Sequence, residues 1–183
     1  MNAEAAGIKL DESGCILVDS YLRAGTPHIF AAGDVKFGPQ FTHVAAYDGE
    51  VSGYNATVKK MIRADYSVIP RGTFCRPEVS SVGLTEHEAR SSGQWTVGIG
   101  KAFFAGFGRA LMSGSGEGVV KVVVDLKSGR ILGAGIVGDD AAELIHELAL
   151  AIQVGATYHE VGAMMHAYPT GSEVVKMACL QVQ

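Results

Sequence analysis

The pair of runs Gly118-Val-Val-Lys-Val-Val-Val-Asp125 and Ile131-Leu-Gly-Ala-Gly-Ile-Val137, divided by Leu126-Lys-Ser-Gly-Arg130, constrains this chain more than any other stretch. Branched apolar side chains fit a pleated, half-buried surface, and a five-residue connection containing glycine suits an antiparallel return. An isolated hairpin is at best marginal in water, so further strands must lie beside it. Glu78-Val-Ser-Ser-Val-Gly-Leu84 and, with interruptions, residues 95–104 supply them.

Helices are marked off between and after these runs. Thr85-Glu-His-Glu88 and Thr157-Tyr-His-Glu160 are capping boxes, each opening a short helix. The first is ended by Gly93. A longer helix, capped by Asp139 or Asp140 and running to about residue 154, places Leu144, Ile145, Leu148, Ala149 and Ile152 on one face, with Gly155 just past its end. Grouped strands with helices on one face give an α+β domain over residues 70–183, built on an antiparallel sheet.

The texture before residue 70 differs. Cys15-Ile-Leu-Val-Asp19 reads as a short strand, and residues 28–32, uniformly apolar between Pro27 and Gly33, read as a strand buried on both faces of a parallel sheet. Thr42 is a candidate N-cap for a helix with Val44, Tyr47, Val51, Tyr54, Val58 and Ile62 at helical spacing. Residues 64–70 read as a boundary. So few residues cannot build the several βα units of a doubly wound sheet, so residues 1–65 are expected to be the last strand and helix of an α/β domain. Gly33-Asp34 falls at the carboxyl edge of that strand, where open α/β sheets bind ligands, although a glycine-aspartate pair also makes an ordinary turn. The start of the following helix would offer amides and partial positive charge to the same edge.

Composition excludes several functions. The 183 residues are 48% hydrophobic, enough to bury a full core. A net charge of −4 without runs of Lys or Arg gives no electrostatic footprint for nucleic acid. The three cysteines, Cys15, Cys75 and Cys179, are far apart and belong to no Cys-x-x-Cys pair, and the six histidines have no ligand spacing. Neither a disulfide framework nor a metal site is expected, and a reducing cytoplasmic setting fits. No apolar run reaches membrane-spanning length and no secretory leader pattern opens the chain.

The closing stretch His166-Ala-Tyr-Pro-Thr-Gly-Ser-Glu173 carries the chemistry-bearing residues. Two readings stand side by side. Tyr168 and Glu173 could form a proton-transferring pair, or Thr170 and Glu173 could form a third capping box.

Taken in order, these segments resemble a known family. Thr26-Pro-His-Ile-Phe-Ala-Ala-Gly-Asp34 is similar to the second flavin-binding motif of the FAD-dependent pyridine nucleotide-disulfide oxidoreductases. Cys75-Arg-Pro-Glu-Val-Ser-Ser-Val-Gly-Leu-Thr-Glu86, Arg109-Ala-Leu111, Gly118-Val-Val-Lys121, Leu132-Gly-Ala-Gly-Ile-Val-Gly138 and Ala142-Glu-Leu-Ile145 resemble that family's dimerisation domain. The closing stretch resembles its final signature. Dihydrolipoamide dehydrogenases and mercuric reductases are the members it most resembles.

The resemblance implies a homodimeric parent using FAD and NAD(P)H, in which one subunit's closing signature reaches the flavin and redox cysteines of the other. Gly33 and Asp34 would contact the flavin's ribityl chain. Amides near Phe41, Thr42 and His43 would face its pyrimidine edge. Tyr168 and Glu173 would be the catalytic residues, and the substrate a disulfide, a metal ion or another small oxidant. The phosphate-binding glycine motifs and the redox Cys-x-x-x-x-Cys of the family do not occur, so the chain is expected to be a C-terminal piece that binds neither cofactor alone. A stand-alone homodimerisation module is the alternative.

Tyr168 stands where the lipoamide-specific relatives carry histidine. A phenol ordinarily ionises near pH 10, about the wrong range for a base at neutrality. Hydrogen-bond donation, with Glu173 as cap and orienter, is the expected role.

Overall fold

The computed structural model describes residues 2–183, which divide into two compact units meeting at Tyr66 and Ser67. The second unit is built on a five-stranded antiparallel sheet. Its strands are β1 (Arg71–Thr73), β2 (Glu78–Gly83), β3 (Val97–Phe103), β4 (Val119–Asp125) and β5 (Ile131–Gly138), in the order β1-β2-β5-β4-β3. The β4–β5 hairpin lies at its heart, with a bulge between Val123 and Val124. Asp125 organises the turn, accepting from the amides of Thr96, Lys127 and Ser128 and from the Ser128 hydroxyl.

Alternation along the strands separates the two faces. Val122 lies opposite Ala134 and Val120 opposite Ile136, and all four are buried. Helix α4 (Ala141–Val154) covers this face over β2 and β5, and α6 (Ser172–Leu180) covers it over β3 and β4. Ile145 and Leu148 from α4 and Val174, Val175, Ala178 and Cys179 from α6 complete the core. Fully burying a leucine or valine contributes about 1.5–3 kcal/mol, so this layer dominates the unit's stability. On the other face Phe103, Val119, Val137 and Val79 stand in one cross-strand row, with Phe103 and Val79 exposed.

The short helices α2 (Glu86–Ser91) and α5 (Tyr158–Ala163) open with the two complete capping boxes read from the sequence. The expected cap of α4 is different. Asp140 occupies the position with φ +59° but its carboxylate makes no cap bond, and Glu78 reaches over from β2 to accept from the Ala142 amide at 3.1 Å. A tertiary carboxylate has replaced the local one. Strand β1 and helix α3 (Gly108–Ser113) were not expected: β1 is three exposed residues without alternation, and α3 is a single short helix without a side-chain cap.

In the first unit, helix α1 (Thr42–Thr57) starts one residue earlier than expected, with Phe41 as N-cap and no side-chain cap bond. Its buried positions are Val44, Asp48, Val51 and Asn55, so half of the inward face is polar. Tyr54, expected on the apolar stripe, is exposed, as is Ile62 beyond the helix end. The segments expected as strands form only single bridges, Leu10 to Ile16, Ile16 to Lys36 and Arg23 to Phe30. A ladder needs a continuous neighbour, and none of the described residues of this unit supplies one.

Candidate functional site

The closing loop runs from the end of α5 to the start of α6. Several of its polar groups are tied to the loop itself or to α6. The Met164 carbonyl accepts from Lys176 Nζ of α6 at 3.0 Å, the Thr170 hydroxyl donates to the Ala167 carbonyl at 2.6 Å, and the Thr170 amide donates to Glu173 Oε2 at 3.1 Å. Only half of the expected capping box forms. Gly171 is the N-cap, so Glu173, the second helical residue, curls back on its own entry loop while the Thr170 hydroxyl turns the other way.

Tyr168 and Glu173 are not brought into contact. The Tyr168 side chain is 78% exposed, and its hydroxyl has no hydrogen-bond partner among the described residues. The ring lies over the start of α3, where a Cβ added to Gly108 would meet Tyr168 Oη at 3.1 Å. Beside it a cleft of about 440 Å³ is lined by Phe74, Arg76, Phe107, Arg109, Thr170 and Gly171, among others. An exposed phenol held against a wall and left without a partner can donate to a ligand in reach.

Sequence reading missed a second pair, which joins the same loop to α4. His166 has a side chain only 2% exposed, with Nε2 at 2.8 Å from Glu147 Oε1 of α4 and Nδ1 at 3.0 Å from the Met164 carbonyl. The two-residue spacing from Tyr168 was visible in the sequence. Nothing local pointed to Glu147.

The flavin-like residues lie in the first unit. Gly33 and Asp34 form a 3-10 turn with Val35, Gly33 at φ +75°, and the turn packs so closely on α1 that a Cβ at Gly33 would meet Ala45 Cβ at 3.1 Å. The Gly33 amide donates to Asp48 Oδ2 at 3.0 Å, leaving the Asp34 side chain exposed. Phe41 and His43 stack at 5.3 Å at the open end of α1. An exposed carboxylate beside a helix N-terminus fits a hydroxyl-bearing ligand with an electron-rich edge.

All three cysteines are free. Burial, with the Glu147 carboxylate nearby, pushes the Cys179 thiol up to about 12, so it is a protonated core thiol at neutrality. An alkylating reagent at neutral pH is expected to modify exposed Cys75 and to spare Cys179 until the chain is denatured. Rapid loss of the Cys179 thiol from the native chain, read by peptide mass spectrometry, would contradict this. No group of three or more His, Cys, Asp or Glu side chains among the described residues could hold a metal, and no described helix is long and apolar enough to cross a membrane.

The sequence profile of the pyridine nucleotide-disulphide oxidoreductase dimerisation domain matches residues 69–179, and that of the pyridine nucleotide-disulphide oxidoreductases matches residues 1–49. The chain belongs to this family. It is 39% identical over 178 residues to a dihydrolipoyl dehydrogenase of Halobacterium salinarum, covering 97% of this chain and 37% of that protein. A Thermus scotoductus dihydrolipoyl dehydrogenase is 41% identical over 173 residues, covering 94% and 37%. The chain thus spans well under half the length of these relatives. Among solved structures, the HOCl-induced flavoprotein disulfide reductase RclA from Escherichia coli superposes with a TM-score of 0.90 at 30% identity, over 98% of this chain and 42% of that one. LpdA from Mycobacterium tuberculosis gives 0.89 at 27% identity, over 98% and 39%.

Proposed function

We propose that this chain is the dimerising and site-closing region of an FAD-dependent NAD(P)H oxidoreductase that works as a cytoplasmic homodimer on a small-molecule disulfide, with dihydrolipoamide itself a poor substrate. The observation that carries the reading is the closing loop, in which Thr170, Glu173 and the Met164 carbonyl are hydrogen-bonded while the Tyr168 hydroxyl stands exposed without a partner among the described residues. The exposed cross-strand row through Phe103 and Val79 supports a covered sheet face in the dimer. FAD, when bound, supplies the ring that exchanges hydride with the nicotinamide. In this chain Asp34 would accept from the ribityl hydroxyls, and the amides of Phe41, Thr42 and His43 would meet the pyrimidine edge. Tyr168 donates a hydrogen bond to the substrate beside the partner's redox cysteines, and Glu173 fixes the start of α6.

Kinetics of the full-length parent test the role of Tyr168. Tyr168→Phe removes one donor and is expected to lower kcat/KM for the native substrate about tenfold. Tyr168→His installs a group that titrates near neutrality and is expected to raise dihydrolipoamide turnover by about tenfold or more. Brisk dihydrolipoamide turnover by the wild type, with no change in the phenylalanine variant, would refute the assignment.

A second reading, reduction of a metal ion, is favoured by tyrosine in place of histidine and by the existence of a Cu(II) complex of the similar RclA. Metal-dependent NADPH oxidation that falls in Tyr168→Phe, without a matching effect on disulfides, would select it.

A further inference from the structure

We infer that half-buried Glu147 and the enclosed His166 side chain form a strut whose task is to present Tyr168, making both of them positioning residues for the closing loop. The inference deepens the proposed role of Tyr168 and rests on it.

The loop from Met164 to Tyr168 is otherwise turned outward. Met165 is 93% exposed and Ala167 is exposed, yet between them the His166 side chain is almost wholly enclosed. Burying one imidazole in such a loop requires satisfying both its nitrogens, because a buried polar atom without a partner costs about 1–3 kcal/mol. Both are satisfied. The Met164 carbonyl can only accept, so Nδ1 carries a proton and donates to it. The 2.8 Å contact of Nε2 with Glu147 Oε1 then needs one proton between the two atoms, on whichever side it resides.

Two helices converge on this pair. Glu147 comes from α4, the Met164 carbonyl also accepts from Lys176 on α6, and Cys179 of α6 lies close enough for the Glu147 carboxylate to raise its thiol. Cys179 is a buried neutral neighbour, and Lys176 supplies a positive charge at the Met164 carbonyl. The strut therefore links the two core helices to a backbone point two residues before Tyr168. On the far side the Glu173–Thr170 bond fixes the backbone two residues after it. With both flanks held, the exposed ring keeps one position over Gly108 without a hydrogen bond of its own.

The test uses amide hydrogen exchange and imidazole nitrogen spectra of the 183-residue chain. In Glu147→Ala the Met164 and Thr170 amides, which donate to the Glu160 carbonyl and to Glu173, should exchange about tenfold faster or more, while those of the β4–β5 hairpin stay at wild-type rates. Glu147→Gln can donate its amide proton to a neutral His166 Nε2. It should restore loop protection to within about threefold of wild type, with the His166 nitrogen signals showing one proton, on Nδ1. Unchanged loop exchange in a folded Glu147→Ala chain overturns the strut. So does a glutamine variant that behaves like alanine, and if the alanine variant does not fold, the glutamine spectrum alone decides in the same way.

In the full-length parent, Glu147→Ala should lower kcat/KM about tenfold beside Tyr168 but by less than about twofold in a Tyr168→Phe background. Loss of loop protection with equal kinetic effects in both backgrounds would leave the strut standing and remove the role of Tyr168.

Discussion

Asp48→Ala is expected to unfold the first unit of the chain while leaving the sheet unit folded. Asp48 is fully buried, and its carboxylate serves three donors: the Gly33 amide at 3.0 Å, Lys36 Nζ at 2.9 Å and the Tyr66 hydroxyl. Lys36 is only 3% exposed, so its ammonium depends on this partner, with the Tyr66 ring 4.8 Å away as its remaining support. Burial and the neighbouring carboxylate push the Tyr66 phenol up, which keeps it a donor. Removing one member of a buried ion pair costs about 3–5 kcal/mol, chiefly because the other charge stays buried and alone. That is close to the whole stability of a unit this small, about 0.05–0.15 kcal/mol per residue.

Hydrogen exchange decides the matter. Amides of α1 should lose protection in Asp48→Ala, and those of β4 and β5 should keep it. Replacing both members, Asp48→Leu with Lys36→Met, removes the isolated charge and should recover most of the protection. Wild-type exchange in Asp48→Ala would mean that the pair does not hold the Gly33–Asp34 turn to the helix.

The same cluster shows what a linear sequence conceals. The β4–β5 hairpin, helix α4 and the two complete capping boxes were legible because each is written in residues close together, as alternation, a helical stripe or an i to i+3 pair. On α1, Asp48 and Asn55 occupy inward positions but read as solvent-facing, because their partners, Lys36, Tyr66 and the carbonyls of Tyr21 and Ile62, lie seven to thirty-four residues away. Glu147 and His166 were hidden for the same reason, nineteen residues apart. The supposed strand over residues 28–32 shows the converse error. Apolar composition announces burial, but a ladder also needs neighbours, and the described chain provides one bridge, at Phe30. In the closing loop Tyr168 was read from its place beside Pro169, whereas its lack of an internal partner could come only from the fold.

Gly100→Ala is expected to be among the most damaging single methyls in the sheet unit, and its consequences reach the closing loop. A Cβ on Gly100 would lie 2.0 Å from the Ala178 carbonyl oxygen of α6 and 2.9 Å from the Val122 and Val182 side chains. A backbone oxygen cannot rotate away, so α6 would have to lift from β3. Lifting it opens the packing of Val174, Val175, Ala178 and Cys179, all fully buried, and strains the pairing of Ile99 with Gln183 at the sheet edge. Overpacking that displaces backbone costs about 3 kcal/mol or more, a fall in Tm of roughly 10 °C for a unit of this size. Gly98→Ala provides the control. Its nearest obstacle is the Leu126 side chain, which can turn aside, so its melting temperature should fall by less than half as much. Because α6 also carries Glu173 and Lys176, the Gly100 variant should lose protection at Thr170 even where it remains folded. A Gly100→Ala chain melting within about 3 °C of wild type would show that α6 is not seated this closely on the sheet.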